Sequence, residues 1–139
     1  MSPFATIVRN ELAAANIPAE LVSDFSDAER LRRATVVFST GSTVLKFSQE
    51  DDNYFLEIAS TWPGEFHWVG DVELATGLKS LDELFSRPAN LPIKEIVRAL
   101  GANLHALGAS LTNDLEKIRR ASAVRLAHQF PLLAKPGSH

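Results

Sequence analysis

The sequence predicts an α+β domain in which a four-stranded antiparallel β-meander is flanked by N-terminal and C-terminal helices. Three observations predict it. The stretch from Thr35 to Val69 is rich in β-branched and aromatic residues and is broken at short intervals by turn residues. The segments on either side carry apolar residues at helical spacing. The connections between the strand segments are too short for parallel crossovers, so neighbouring strands pair antiparallel.

The N-terminal helices are assigned to residues 1–33. Ser2-Pro3 is a helix start, a capping hydroxyl followed by proline at the first helical position. Phe4, Ile7, Val8, Glu11, Leu12 and Ala15 follow at helical spacing, and Asn16 and Pro18 close the helix. A second helical piece is expected from Ala19 to Arg33. Ser26 with Glu29 forms a capping box there, and Arg30, Arg32 and Arg33 suit the negative end of the helix dipole.

The antiparallel sheet is assigned to residues 34–70. Thr35–Ser39 and Thr43–Ser48 form a hairpin about the Ser39–Ser42 turn. Glu50–Asn53 is a second turn. Tyr54–Ala59 is the third strand, with Tyr54, Leu56 and Ile58 on the core face. Trp62–Glu65 is a third turn, and Phe66–Val69 the fourth strand. The uncovered face of the sheet is expected to carry Glu57 and some of Phe55, His67 and Trp68.

The C-terminal helices are assigned to residues 78–130. Ser80 with Glu83 is a capping box, and Pro88 stops the helix it opens. Pro92 starts a longer helix with an apolar stripe from Ile93 through Ile96, Val97, Leu100, Leu104 and Leu107 to Leu111. Gly101 and Gly108 interrupt its propensity, marking close packing or, at Gly108, an end. Asn113 with Glu116 is read as a further capping box before a basic helix carrying Leu115, Ile118, Val124 and Leu126. Residues 131–139 are read as a tail.

At 139 residues the chain is long enough for one domain with a real core. It has no cysteine, which excludes disulfides, thiolate metal sites and thiol nucleophiles. The N-terminus does not read as a signal peptide, and no apolar run is long enough to span a membrane. A cytoplasmic location is the expectation. The net charge of −3 hides a segregation of charge. Nine carboxylates stand between Glu50 and Glu83 against one base, Lys79, whereas Lys117, Arg119, Arg120, Arg125 and Lys135 follow Glu116 with no acid among them. Such a field steers charged partners.

No chemistry stands out. His67, His105, His128 and His139 lack the three- or four-residue spacing of a helical metal pair, so no metal or other cofactor is expected, although Glu65 and His67 share a strand face. The Ser39-Thr40-Gly41-Ser42 run is hairpin chemistry rather than a phosphate or nucleophile loop. Asp51 and Asp52 lie in a turn, where carboxylates are expected and stay hydrated, so an acid–base pair finds no support there. The chain is therefore expected to be a binding protein and not an enzyme. Acids interleaved with aromatics suit a protein partner with a basic surface: aromatics anchor, charges set on-rate and selectivity. The candidate contacts are Asp51, Asp52, Tyr54, Glu57, Trp62, Glu65, His67, Trp68, Asp71 and Glu73. The alternative stays open that Trp68 is core, Trp62 packs on the sheet edge and the acids serve solubility. The basic helix from Lys117 to His128 suits nucleic acid or an anionic surface, but the acidic middle repels polyanions and its cations are better matched to the chain's own acids.

The segment from Val36 to Gly70, VVFSTGSTVLKFSQEDDNYFLEIASTWPGEFHWVG, resembles small bacterial immunity proteins of polymorphic-toxin and contact-dependent inhibition systems. Those proteins share its strand pair, acidic turn, aromatic strand and tryptophan-bearing strand. The resemblance implies a monomeric or dimeric cytoplasmic protein that binds a toxin domain and occludes its active site. An acidic surface is also what would plug the basic groove of a nuclease. A second class is a secretion or effector chaperone, which binds an extended client segment along a sheet and dimerises through a helix such as Ile93–Leu111. The four strands in immediate succession depart from the split sheet expected of that class.

Overall fold

Every strand of the sheet lies beside its neighbour in sequence. A computed structural model describes residues 1–26, 33–88 and 90–130. Helix α1 (Pro3–Ala14) leads into β1 (Glu20–Ser26), β2 (Arg33–Ser39), β3 (Val44–Glu50), β4 (Asn53–Ala59) and β5 (His67–Trp68). Helices α2 (Val69–Thr76), α3 (Leu81–Ser86), α4 (Ile93–Asn113) and α5 (Leu115–Gln129) follow. The sheet is an antiparallel meander in the order β1-β2-β3-β4-β5.

The four-stranded expectation is thus corrected to five strands. The added strand is β1, where a second helix was expected. It is an edge strand, and its register slips between Leu21 and Ser23, so the apolar alternation that would mark it is broken. Arg33, read as a helix end, instead opens β2 opposite Glu50 and bonds its carboxylate at 3.0 Å. The Ser26–Glu29 capping box and the cations Arg30 and Arg32 reach beyond the described residues, as does the 131–139 tail.

Ser2 caps α1 as expected, its hydroxyl accepting the Ala5 N–H at 3.1 Å. It also ties α1 to the sheet edge: its amide and hydroxyl both donate to the Asp24 carboxylate at 2.6 Å. The Ser2 hydroxyl, then its amide, holds the Asp24 carboxyl below its ordinary pKa.

Alternation along β2, β3 and β4 sends Val36, Phe38, Leu45, Phe47, Leu56 and Ile58 to one face, all essentially buried. Against them pack Phe4, Val8 and Leu12 of α1, Val72 of α2, Val97, Leu100 and Leu107 of α4, and Ile118 of α5. Each fully buried leucine or phenylalanine of this layer contributes about 1.5–3 kcal/mol. Tyr54 joins this face, its ring stacked on Phe4 at 6.1 Å. Ile7 and Val124, placed on apolar stripes by their spacing, are half exposed.

The helices begin earlier than expected. Val69, read as the end of a strand, opens α2, and the last strand is only His67–Trp68. Helix α2 has no side-chain cap at its start and ends at Gly77, whose φ of 77° closes it in the left-handed region. The Ser80–Glu83 capping box forms with both bonds at 3.2 Å. Gly101 and Gly108 both lie inside α4, so Gly108 is not an end but a close approach: a Cβ there would stand 2.8 Å from Thr43 Oγ1. The Asn113–Glu116 box does not form. Asn113 ends α4, Asp114 precedes α5 without a capping bond, and the Glu116 carboxylate turns to Arg119.

Candidate functional site

The acids and aromatics singled out above fall into three places. The first is the open face of the sheet and the β3–β4 turn. Glu57 stands opposite Lys46 there, 3.4 Å from its ammonium. Asp51 and Asp52 form the turn, with Asp51 at φ 55°, a conformation aspartate tolerates. Two residues along the ladder from this turn, direct pairing sets Phe25, Thr35, Ser48 and Phe55 in one row across β1, β2, β3 and β4. Phe25 is 64% exposed and Phe55 41%. The row spans about 14 Å at ordinary strand spacing.

The far end of the same face is covered. Phe66 packs on Val37, Val44 and Ala59, with the Lys46 ammonium 4.8 Å from its ring centroid. Trp62 meets Phe66 edge-on at 6.1 Å and stays half exposed.

The second place is the seam between α5 and the 65–73 segment. Arg125 grips Asp71 with two bonds, Nε to Oδ1 at 2.7 Å and Nη2 to Oδ2 at 3.1 Å, and its guanidinium lies 5.0 Å from the centre of the Trp68 ring. Arg119 donates to both oxygens of Glu65 at 3.2 Å, and His67 Nε2 lies 2.8 Å from the same carboxylate. Arg119 above all, and His67 to a lesser degree, hold the Glu65 carboxyl below its ordinary pKa; Glu65, then Glu116, raises that of Arg119. Both bridges join residues 54 apart, so α5 runs alongside this segment in the same direction. The basic helix and the acidic middle therefore neutralise one another at two points within the molecule.

The third place is a cleft of about 800 Å³ bounded by β4, α2, α3, α4 and α5. Leu56, Trp68, Phe85, Ile96 and Leu107 form much of its apolar wall. Tyr54 also lines it, as do Arg125 and a buried carboxylate, Glu73. Glu73 Oε1 accepts from Arg87 Nη2 at 3.2 Å, and Lys79 Nζ lies 3.8 Å from Oε2.

The expected site residues thus do not form one surface. Asp71 and Glu73 are 2% and 3% exposed and committed to internal cations, whereas Asp51 and Asp52 lie at a turn. The cleft residues Lys79, Phe85, Arg87 and Ile96 were not among the expected site residues, because α3 signals only its own start, Ile96 reads as core stripe and Arg87 meets Glu73 from 14 residues away. Among the described residues, no group of three or more potential ligands is placed to hold a metal ion, and no helix is long and apolar enough to cross a membrane. No family model, curated protein or solved structure matches the chain.

Proposed function

We propose that this chain is a non-catalytic protein-binding domain that recognises a partner with a basic surface through the open sheet face and its acidic turn. Toxin neutralisation, the role implied by the resemblance of residues 36–70, is the role we assign to that binding. The observation that carries the reading is the Phe25–Thr35–Ser48–Phe55 row beside the Asp51-Asp52 turn, with both phenylalanines exposed and the hydroxyls between them partly buried. Two aromatic anchors flank two hydroxyls, a grouping suited to a hot-spot centre, and the neighbouring carboxylates supply steering. The contact set contracts accordingly: Asp71, Glu73 and Glu65 act as internal partners of Arg125, Arg87 and Arg119, and Asp51 and Phe55 take the leading roles. Engagement of Arg119 and Arg125 with these acids also disfavours the nucleic-acid alternative.

The test is affinity capture from the source cell, comparing the parent with Phe25→Ser/Phe55→Ser and with Asp51→Asn, which removes a charge while tolerating the turn's positive φ. The reading expects one stoichiometric basic partner whose activity is inhibited on binding, with affinity about tenfold or more weaker for the double variant and a reduced salt dependence for Asp51→Asn. Equal affinity of all three proteins for that partner would remove the open face from the interface.

A further inference from the structure

The cleft on the helical side of the sheet has a chemistry that the protein-binding reading does not use. Its volume of about 800 Å³ lies in the range of small-molecule sites. Its charges are uneven where Glu73 sits. One carboxylate, 4% exposed, faces two cations: Arg87 at 3.2 Å and Lys79 at 3.8 Å. The remaining acids of the lining are turned elsewhere. Glu83 accepts the Ser80 N–H as part of the α3 cap, and Glu95 pairs with Arg98 at 3.7 Å. Arg125 is matched by Asp71. The lining as a whole balances three cations against three carboxylates, but at Glu73 itself two cations meet one carboxylate. The Lys79 ammonium carries three donors and approaches Glu73 only at 3.8 Å, longer than a hydrogen bond, and its side chain is 30% exposed. An ammonium with unused donors beside an apolar wall is matched by an anion attached to an apolar body.

We propose that this cleft binds a small apolar carboxylate, with its carboxylate on Lys79 Nζ and its hydrocarbon against Leu56, Trp68 and Phe85. This ligand site opens on the helical side of the sheet and touches the proposed interface only at Phe55, which also borders the cleft, so it does not depend on that reading. The two tryptophans report on it independently, because Trp68 lines the cleft and Trp62 packs on Phe66 outside it.

The experiment titrates the full chain with decanoate, decanol and decylamine, followed by calorimetry and by the two indole N–H signals in a ¹H–¹⁵N spectrum. Decanoate is expected to bind about tenfold more tightly than decanol, the scale of one charge-assisted hydrogen bond, and decylamine more weakly than either. The Trp68 indole signal should move and that of Trp62 stay. Lys79→Gln, which leaves Glu73 its Arg87 partner, should bring decanoate down to the affinity of decanol. Ala99→Trp, at an exposed α4 position lining the cleft, should block both. No saturable decanoate binding, equal affinity for decylamine, a shift confined to Trp62, or an unchanged decanoate preference in Lys79→Gln would each overturn the proposal. None of these outcomes decides the open-face reading, whose test rests on Phe25, Phe55 and Asp51 variants.

Discussion

Replacing Arg125 by alanine tests the seam between α5 and the rest of the molecule. In the parent, the Arg125 guanidinium holds both Asp71 oxygens, bonds Gln129 Oε1 at 3.0 Å and covers the Trp68 ring. The Asp71 side chain is only 3% exposed, so removing its partner leaves a carboxylate largely out of water. Breaking a buried pair from one side costs about 3–5 kcal/mol, and the lost stacking adds about 0.5–1 kcal/mol. Two effects reduce this. Asp71 lies in the first turn of α2, where the helix dipole favours an anion by about 0.3–1 kcal/mol. The Arg125 side chain is 19% exposed, so its removal admits water. We expect a net loss of about 3 kcal/mol. Arg125→Lys, which keeps the charge but not the two-pronged geometry, should lose about half of that. Asp71→Leu with Arg125→Met, which replaces both charges by apolar groups, should return to within about 1 kcal/mol of the parent. Equilibrium urea unfolding followed by far-UV circular dichroism measures all three without relying on Trp68 emission. A loss below about 1 kcal/mol for Arg125→Ala, or a double variant no better than the single, would refute the claim that Asp71 is a desolvated charge that needs Arg125.

Ser110→Ala should leave stability unchanged or raise it by up to about 1 kcal/mol in the same assay, because Ser110 Oγ is buried with no hydrogen-bond partner among the described residues. The two α4 glycines should respond with opposite signs. Gly101→Ala has its nearest new contact at 3.5 Å and should gain about 0.5–1 kcal/mol of helix propensity, whereas Gly108→Ala meets the buried Thr43 hydroxyl and should destabilise; thermal melts decide it. The depressed pKa of Glu65 contributes stability above its ordinary value of 4.5, and this is lost as pH falls through the lower folded-state value. Glu65→Gln should therefore unfold with a shallower loss of stability on acidification below that pH, read from urea midpoints across an acid series.

The central strands and the long helix were legible because their chemistry is local. Tyr54, Leu56 and Ile58 alternate, Ser80 and Glu83 stand at capping spacing, and the α4 stripe repeats over many turns. What stayed hidden lacked such a signal. Strand β1 lies at the sheet edge, most of its residues are exposed, and a register slip interrupts its alternation, so Glu20–Ser26 reads as a weak helix. Helix α2 begins directly from β5 with Trp68 in place of a polar cap and Gly70 in its first turn. Gly70 is needed there because any Cβ would collide with the Trp68 ring, a requirement of packing that the sequence does not display. The acidic middle and basic end were both visible as charge patterns. Their mutual bridging was not, because Arg119–Glu65 and Arg125–Asp71 are each closed across 54 residues. Composition therefore pointed to an acidic surface where the fold uses three of its carboxylates, Glu65, Asp71 and Glu73, internally.

The order β1-β2-β3-β4-β5 has a kinetic consequence. Each strand pairs with its predecessor in the chain, so the sheet can assemble one hairpin at a time, closing only short loops at each step. The β3–β4 hairpin, with a two-residue connection between the paired Glu50 and Asn53, has the least loop entropy to overcome and is the natural first pair. The helical layer can dock onto a face that is already forming. Folding of this chain should then be quick for a protein with so large a sheet, and substitutions in the β3–β4 hairpin should slow refolding more than equally destabilising ones in α5.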